Sequence, residues 1–219
     1  TQTMIKTALN GAGKEPTSFL PDYNDQYKKA ATQFSFDVAK AKKLLRMQDG
    51  CRSEISVLTT TDTWIAAMGP QIKQNFEALG LKVNLNNVAS ADLWNNNVAQ
   101  GKFDVVVAPG DASVYGADPG VLIKGWFFSE LWMKDRFRLT ESDPAGAKAL
   151  VDLMDKADKA TGDEAKAKWG EVQDMIADQA ALYPLAFHTL YTAYNPAKVS
   201  NLTPIGVTGL QLIGTKVSK

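Results

Sequence analysis

The side chains that could carry out a reaction are few, and their spacing fits no catalytic or metal-binding pattern. The sequence has one histidine, His188, and one cysteine, Cys51, so it can build neither a zinc site from several His and Cys ligands nor a disulfide within the chain. The Gly-x-Ser-x-Gly motif of a serine nucleophile is absent. Residues 11–14, Gly-Ala-Gly-Lys, lack the spacing of a phosphate-binding loop. The sequence therefore predicts no catalytic residue, no metal ion and no cofactor.

Binding of a solute has more support, because aromatic rings occur beside polar groups. Trp94 is followed by three asparagines. An indole face next to amides suits a sugar or a peptide backbone, although a Trp94 packed against a sheet is the simpler interpretation. Trp126 begins a run of large rings that ends at Phe137, and part of that run belongs in the core. We take Trp126 as a candidate ligand contact.

The composition is that of a globular chain, and it narrows the class of partner. The 219 residues suffice for one large domain or two small ones. Lys+Arg and Asp+Glu both number 24, so the chain is neutral at pH 7, which argues against nucleic acid as a partner. No apolar run approaches the ~18 residues that a membrane-spanning helix needs.

Hydrophobic spacing predicts an α/β fold. Strand, helix, strand, helix and strand are predicted near 55–59, 62–79, 83–88, 90–98 and 103–108. Gly69-Pro70 should kink or restart the first of these helices, and Ser90 should cap the second. Such an order predicts a sheet with right-handed crossovers.

Helices and irregular segments flank this pattern. A short helix at 3–9 and an extended segment up to residue 35 come first. Asp37 is a good N-cap for a helix that ends at Gly50, with an apolar face formed by Val38, Ala41, Leu44 and Leu45. Later elements are an antiparallel helical hairpin that begins at Asp143-Pro144 and turns at 161–163, strands at 182–187 and 191–194, and one or two strands in the tail.

The loop at 109–120 leaves the carboxyl end of the last strand of the predicted sheet. In open α/β sheets ligands bind at that edge. The loop contains three polar or aromatic side chains that face no obvious core, Asp111, Ser113 and Tyr115. We take these three as candidate ligand contacts, although many polar loop residues serve only to form turns.

Six passages, in this order, resemble a known family. They are 4–21 (Met-Ile-Lys … Asn-Gly … Pro … Leu-Pro), 36–50 (Phe-Asp … Ala-Lys-Lys-Leu-Leu … Gly), 71–83 (Gln-Ile … Phe-Glu-Ala-Leu-Gly-Leu-Lys-Val), 101–105 (Gly-Lys-Phe-Asp-Val), 118–119 (Asp-Pro) and 169–185 (Trp … Gln … Ile … Tyr-Pro-Leu). Together they resemble the C-terminal part of family 5 extracytoplasmic solute-binding proteins, the oligopeptide-, dipeptide- and nickel-binding components of ABC importers.

The resemblance implies a lobe of a type II periplasmic binding protein, with a mixed sheet of βαβ units flanked by helices, and without enzymatic activity. Residues 1–189 would form the C-terminal substrate-binding lobe, and 190–219 would return toward an N-terminal lobe that this sequence lacks. The implied partners are a peptide or other small solute, the missing lobe and the membrane permease of an ABC importer. The implied location is extracytoplasmic, either periplasmic or lipid-anchored. Apolar cleft and hinge surface should then be exposed.

One departure from the family pattern concerns the solute. Peptide-binding members carry a Trp and, three residues on, an Asp that pairs with the peptide's amino group, both just after the strand at 103–108. Here Gly110 stands at the Trp position, and the Asp position falls on Ser113 or Tyr115, with Asp111 as a possible substitute. Because a buried ammonium needs a paired carboxylate, an oligosaccharide-binding member of the family is the alternative.

His188 is the fifth candidate ligand contact. It lies just past the strand that matches the family's Pro-x-x-Pro-Leu, where members often place a residue facing the cleft, although an ordinary rim histidine is the simpler interpretation. Two alternatives come from other classes. An interaction domain would lay the 109–119 loop flat against a neighbour, and a small hydrolase would need a catalytic dyad at His188.

Overall fold

The structure is a computed structural model that describes residues 2–46, 53–110, 118–204 and 210–218. Helix α1 (Gln2–Ala8) comes first. It stops where Asn10 and Gly11 adopt positive φ angles of 50° and 79°, a region that glycine enters without strain. Strand β1 (Gly13–Lys14) follows, and the chain is then irregular up to residue 37, as predicted.

Helix α2 (Val38–Arg46) begins at the predicted cap. The Asp37 carboxylate accepts a hydrogen bond from the Lys40 N–H at 2.8 Å. No α2 residue is fully buried, and Leu44 is 53% exposed, so the described part of the chain covers the apolar face of this helix only in part. Its predicted end at Gly50, and Cys51, lie outside the described residues.

The central sheet is parallel, as the βαβαβ order predicted. Its strands are β2 (Glu54–Thr60), β3 (Lys82–Val88) and β4 (Val105–Val107), with β2 in the middle. The register pairs Thr60 with Val88 and Thr59 with Val107. All three strands therefore end at nearly the same level of one sheet edge.

Short helices connect these strands. Helix α3 (Thr63–Ala66) and helix α4 (Gly69–Glu77) replace one continuous helix, and Pro70 lies in the first turn of α4; the predicted restart is confirmed. Helix α5 (Ser90–Asp92) continues directly into a π-helical segment, Leu93–Val98. Ser90 is the first helical residue and makes no capping hydrogen bond, so its prediction as N-cap was wrong.

A helical layer follows the loop after β4. It consists of two π-helical segments, Gly120–Phe127 and Trp132–Arg136, and helices α6 (Leu139–Ser142), α7 (Pro144–Lys159) and α8 (Gly162–Gln179). The predicted hairpin of α7 and α8 is confirmed, and its core contains the fully buried Leu150 and Val172. Asp143 caps α7 by accepting the Gly146 N–H at 2.9 Å.

The C-terminal part contains only short strands among its described residues. Strand β5 (Phe187–His188) pairs antiparallel with β1, β6 (Val199–Ser200) with β9 (Lys216–Val217), and β7 (Thr203–Pro204) with β8 (Leu210–Gln211). The predicted strand at 182–187 shrinks to β5, because its partner β1 is only two residues long. The prediction of a strand at 191–194 was wrong.

Gln173 fastens the irregular segment before α2 to helix α8. Its side chain is fully buried, accepts a hydrogen bond from the Ser18 hydroxyl at 2.8 Å and donates to the Gln26 carbonyl at 2.9 Å. One turn later Asp174 accepts from the Lys28 ammonium at 2.6 Å and from the Ala31 N–H at 2.7 Å. These contacts hold the long irregular segment in place without secondary structure.

The sheet separates two apolar clusters. Val57, Val83 and Val107 face one side, together with Met4 and Ile5 of α1. On the other side Leu58 packs with residues of the π-helical segment after α5. Every helix in the described ranges is too short or too polar to cross a bilayer.

Candidate functional site

The candidate site begins at the carboxyl edge of the central sheet. β2 leads into Thr61 and Asp62, β3 into Ala89, and β4 into Pro109 and Gly110. Because the strands are parallel and in register, these three connections leave the sheet side by side. This is the edge at which open α/β sheets bind ligands.

The polar groups of this edge are largely tied to one another. Thr59 and Thr60 are fully buried. The Thr59 hydroxyl donates to the Asn87 side-chain oxygen, and the Thr60 hydroxyl donates to the Asp62 carboxylate at 2.7 Å. Buried hydroxyls need such partners. The result is a rigid, polar rim in which the exposed Asp62 is held in a fixed position.

A stacked pair of rings lies next to this rim. Trp64, in α3 directly after β2, stacks on His188 with ring centroids 4.8 Å apart and planes 13° apart. Strand β5 brings His188 there by pairing with Gly13 of β1. A Cβ at Gly13 would lie 2.9 Å from the Phe187 carbonyl oxygen, so the close strand approach requires glycine. Both rings are half-buried, and the pair combines a flat apolar surface with imidazole nitrogens.

An aromatic–arginine cluster occupies the other flank of the edge; we define it as Trp94, Trp126, Phe127, Trp132 and Arg136. The Trp132 ring is 5.4 Å from Trp94, 6.0 Å from Trp126 and 5.5 Å from Phe127, between centroids. Trp132 is buried, whereas Trp126 is 39% exposed. Trp126 is therefore the ring of this cluster that lies most open to a solute.

The loop after β4 touches this cluster. A Cβ added to Gly110 would lie 2.7 Å from Cζ of Phe127, so the backbone at Gly110 rests on that ring. The candidates Asp111, Ser113 and Tyr115 lie outside the described residues, and their role stays a prediction.

The structure places the two described candidates in different clusters. His188 belongs to the Trp64 stack and Trp126 to the aromatic–arginine cluster. The simpler interpretation of Trp94 also holds, since its half-buried ring packs between the sheet and the helical layer. Among the described residues no group of three or more His, Cys, Asp or Glu side chains could hold a metal ion.

Sequence reasoning missed Trp64 and Arg136. Trp64 could have been found, because the rule that singled out the loop after β4 applies equally to the residues after β2. Arg136 follows Trp132 at helical spacing, but its contact with Trp94 joins residues distant in the chain and carries no local signal.

Comparison with known proteins agrees with this arrangement. The family model described as bacterial extracellular solute-binding proteins, family 5, middle part, matches residues 1–134. The chain belongs to this family. The resemblance read from the six passages is thereby confirmed, and the family is one of binding proteins. Comparison with curated proteins found no match.

Several solved structures share the fold of this chain. NikA from Brucella suis, in complex with Fe(III)-EDTA, superposes with a TM-score of 0.77 at 18% identity over 99% of this chain and 45% of that one. A dipeptide-binding protein from Pseudoalteromonas sp. SM9913, in complex with Met-Leu, gives 0.73 at 18% identity over 99% and 42%. The oligopeptide-binding protein AppA from Bacillus subtilis, with a nonapeptide, gives 0.71 at 14% over 100% and 45%.

These likenesses confirm the predicted α/β fold of a type II periplasmic binding protein. The chain spans less than half the length of each of these three proteins.

Proposed function

We propose that this chain forms one lobe of the substrate-binding component of a bacterial ABC importer. The solute would bind at the carboxyl edge of the central sheet, a second lobe would close over it by a hinge motion, and the complex would deliver it to a membrane permease. The observation that carries the proposal is the half-buried Trp64–His188 stack at this edge, in a chain that belongs to a solute-binding family.

The proposal of a second lobe is supported by the surface of the C-terminal segment. Six of its described apolar side chains are about half exposed or more: Leu190 55%, Tyr191 79%, Tyr194 49%, Leu212 65%, Ile213 86% and Val217 76%. Apolar surface of this kind marks an interaction site. We therefore propose residues 1–189 as the substrate-binding lobe and 190–219 as the segment that contacts the second lobe.

A peptide or another small solute is the proposed ligand. His188 and Trp126 would contact it from the two flanks, and Asp111, Ser113 and Tyr115 from the loop after β4. Asp111 would pair with a free amino group if the solute is a peptide. An extracytoplasmic location, periplasmic or lipid-anchored, follows from the same proposal, and fractionation of cells that produce the protein tests it.

A thermal-shift screen of the full-length protein, with both proposed lobes, tests the binding proposal. The panel contains free peptides, the same peptides with acetylated amino termini, and oligosaccharides. Stabilisation by free peptides alone would support an ammonium clamp by Asp111, and stabilisation by both peptide forms would exclude that clamp. If oligosaccharides stabilise the protein and peptides do not, the result would support the alternative of an oligosaccharide-binding member of the family.

A matched pair of variants locates the site. Trp64→Ala should abolish the ligand-induced shift, because it removes the face on which His188 stacks. The control Phe36→Ala removes a 72% exposed ring before α2 and should leave the shift unchanged. The proposal fails if no member of the panel stabilises the full-length protein, or if Trp64→Ala responds to the ligand as the wild type does.

A reaction at His188 is the competing function. We expect neither the wild type nor His188→Ala to convert a bound ligand, and His188→Ala should only bind the solute more weakly. Conversion of a bound peptide or sugar by the wild type, and its loss in His188→Ala, would replace the transport function with a hydrolase.

A further inference from the structure

Helix α2 turns a face of cations toward solvent. Residues 38–46 carry four basic side chains and no carboxylate, although the whole chain is neutral at pH 7. Lys40, Lys43 and Arg46 are exposed, whereas Lys42 is half-buried. Because positions three apart lie on the same side of a helix, the three exposed cations share one outward face. The acidic residues that balance their charge lie outside the helix.

These three cations have no ion-pair partner among the described residues. Elsewhere on the surface Lys14, for example, pairs with Asp22 at 3.1 Å. Lys43 and Arg46 lie in the last turn of α2, where a cation stabilises the negative end of the helix dipole. That purely structural explanation does not cover Lys40, which lies in the first turn, at the positive end of the dipole.

Two large apolar side chains accompany the cations. Phe36, just before the Asp37 cap, is 72% exposed, and Leu44, next to Lys43 in the helix, is 53% exposed. A single exposed apolar residue is ordinary, but phenylalanine and leucine among cations on one helix face are typical of a surface that rests on a lipid bilayer. There the cations contact phosphate groups, and the apolar side chains enter the boundary between headgroups and acyl chains.

We propose that the outward face of α2, together with Phe36, docks on the anionic phospholipid surface of a bacterial membrane. The charges are complementary, and two of the three cations are lysines, whose point charges suit a layer of phosphate groups better than bidentate pairing with one carboxylate. Such docking would keep the lobe close to its permease. The inference rests on the proposed extracytoplasmic function, and an acidic protein surface is the alternative partner.

Vesicle sedimentation tests this inference with lipids alone. The full-length protein, produced without an acyl anchor, is mixed with vesicles of phosphatidylcholine, or of equal parts of phosphatidylcholine and phosphatidylglycerol. It should sediment with the anionic vesicles and stay in solution with the neutral ones. Each basic residue near an anionic surface raises partitioning roughly fivefold, so the three cations should account for on the order of a hundredfold. Binding should vanish at about 1 M salt, where the Debye length falls to about 3 Å.

Two triple variants that remove the same charge locate the contact. The first replaces the exposed cations of α2: Lys40→Gln, Lys43→Gln and Arg46→Gln. The control replaces three exposed lysines of helices α7 and α8: Lys156→Gln, Lys159→Gln and Lys166→Gln. The α2 variant should bind anionic vesicles on the order of a hundredfold more weakly, and the control should stay within about twofold of the wild type.

Two single variants separate charge from apolar contact. Arg46→Lys keeps the charge and should bind the anionic vesicles as the wild type does. Phe36→Ala should bind several-fold more weakly with an unchanged dependence on salt, because the ring contributes burial and no charge. Circular dichroism spectra and Tm values equal to those of the wild type would show that each variant remains folded.

The inference is overturned if the wild type does not bind the anionic vesicles, or if the two triple variants bind them equally. If the wild type ignores the vesicles and the α2 triple variant still impairs solute uptake by the importer reconstituted with its permease, the face contacts an acidic protein surface instead. Solute binding is measured separately by the thermal-shift panel. If panel members stabilise a protein that does not bind vesicles, only the lipid contact fails; if neither solute nor vesicle binds, both proposals fail.

Discussion

Replacing Gln173 with leucine tests how the irregular segment before α2 is held. Gln173 is fully buried in α8, and its amide accepts from the Ser18 hydroxyl and donates to the carbonyls of Gln26 and Trp169. Gln173→Leu keeps the approximate size of the side chain and removes all three hydrogen bonds. The Trp169 carbonyl retains its helical partner, so the Ser18 hydroxyl and the Gln26 carbonyl are the groups left without one.

The magnitude follows from those two groups. A buried polar group that loses its partner costs about 1–3 kcal/mol, and the better burial of leucine offsets part of the sum. We expect a net loss of about 2–4 kcal/mol in the free energy of unfolding. For a chain of this size that corresponds to a decrease in Tm of roughly 5–15 °C.

Thermal unfolding followed by circular dichroism provides the measurement. The control Gln74→Leu changes an exposed glutamine of α4 and should shift Tm by no more than a degree or two, about the effect of an ordinary surface change. Ser18→Ala should cost less in the Gln173→Leu background than in the wild type, because its hydroxyl has already lost its acceptor there. A Tm of Gln173→Leu equal to that of the wild type, or strictly additive effects of the two substitutions, would refute the reasoning.

Three further predictions concern the site and its surroundings. Gly110→Ala should cost about 1–3 kcal/mol of stability by overpacking, because its Cβ would lie 2.7 Å from Phe127 Cζ. Urea unfolding measures this cost. The control Gly125→Ala, whose Cβ would lie 3.5 Å from its nearest atom, should cost clearly less. His188→Phe should preserve the Trp64 stack and the stability of the protein but weaken solute binding, because it removes the imidazole nitrogens proposed to contact the solute. Calorimetric titration with the best panel ligand measures the affinity, and an unchanged affinity would mean that the ring serves only for packing. Lys124→Met should differ less in stability from the wild type as the solution becomes acidic. Hydrogen bonding and charge from Lys124 lower the pKa of Asp155, so the ion pair stabilises fully above the ordinary carboxyl pKa and its contribution falls as the pH approaches and passes the lowered one; urea unfolding at about pH 7 and at a series of lower pH values would contradict this if the difference stayed constant.

Local sequence rules predicted most of the fold. The alternation around Val57 and Val83, and the helical spacing of Ile65, Met68 and Ile72, reflect burial on one side of an element, which repeats with the period of that element. Gly69-Pro70 and Asp143-Pro144 marked helix starts, because proline fits only the first turn. The family resemblance rested on the same local passages and was confirmed by the match over residues 1–134.

The errors came from contacts that lie outside the local pattern. The apolar side of α2 has regular helical spacing, yet none of its residues is fully buried, because spacing alone does not say how completely another element covers a face. The strand predicted at 182–187 had suitable residues, but a strand lasts only as long as its neighbour, and β1 is two residues long.

The amino-acid sequence by itself determined the order of strands and helices, the parallel sheet and the edge at which a ligand would bind, because these follow from short-range periodicity and from the rule that parallel strands end at one edge. Only the tertiary structure decided which side chains meet at that edge. His188 reaches Trp64, and Arg136 reaches Trp94, across long stretches of chain, and such pairings depend on the packing of whole elements, which no local spacing encodes.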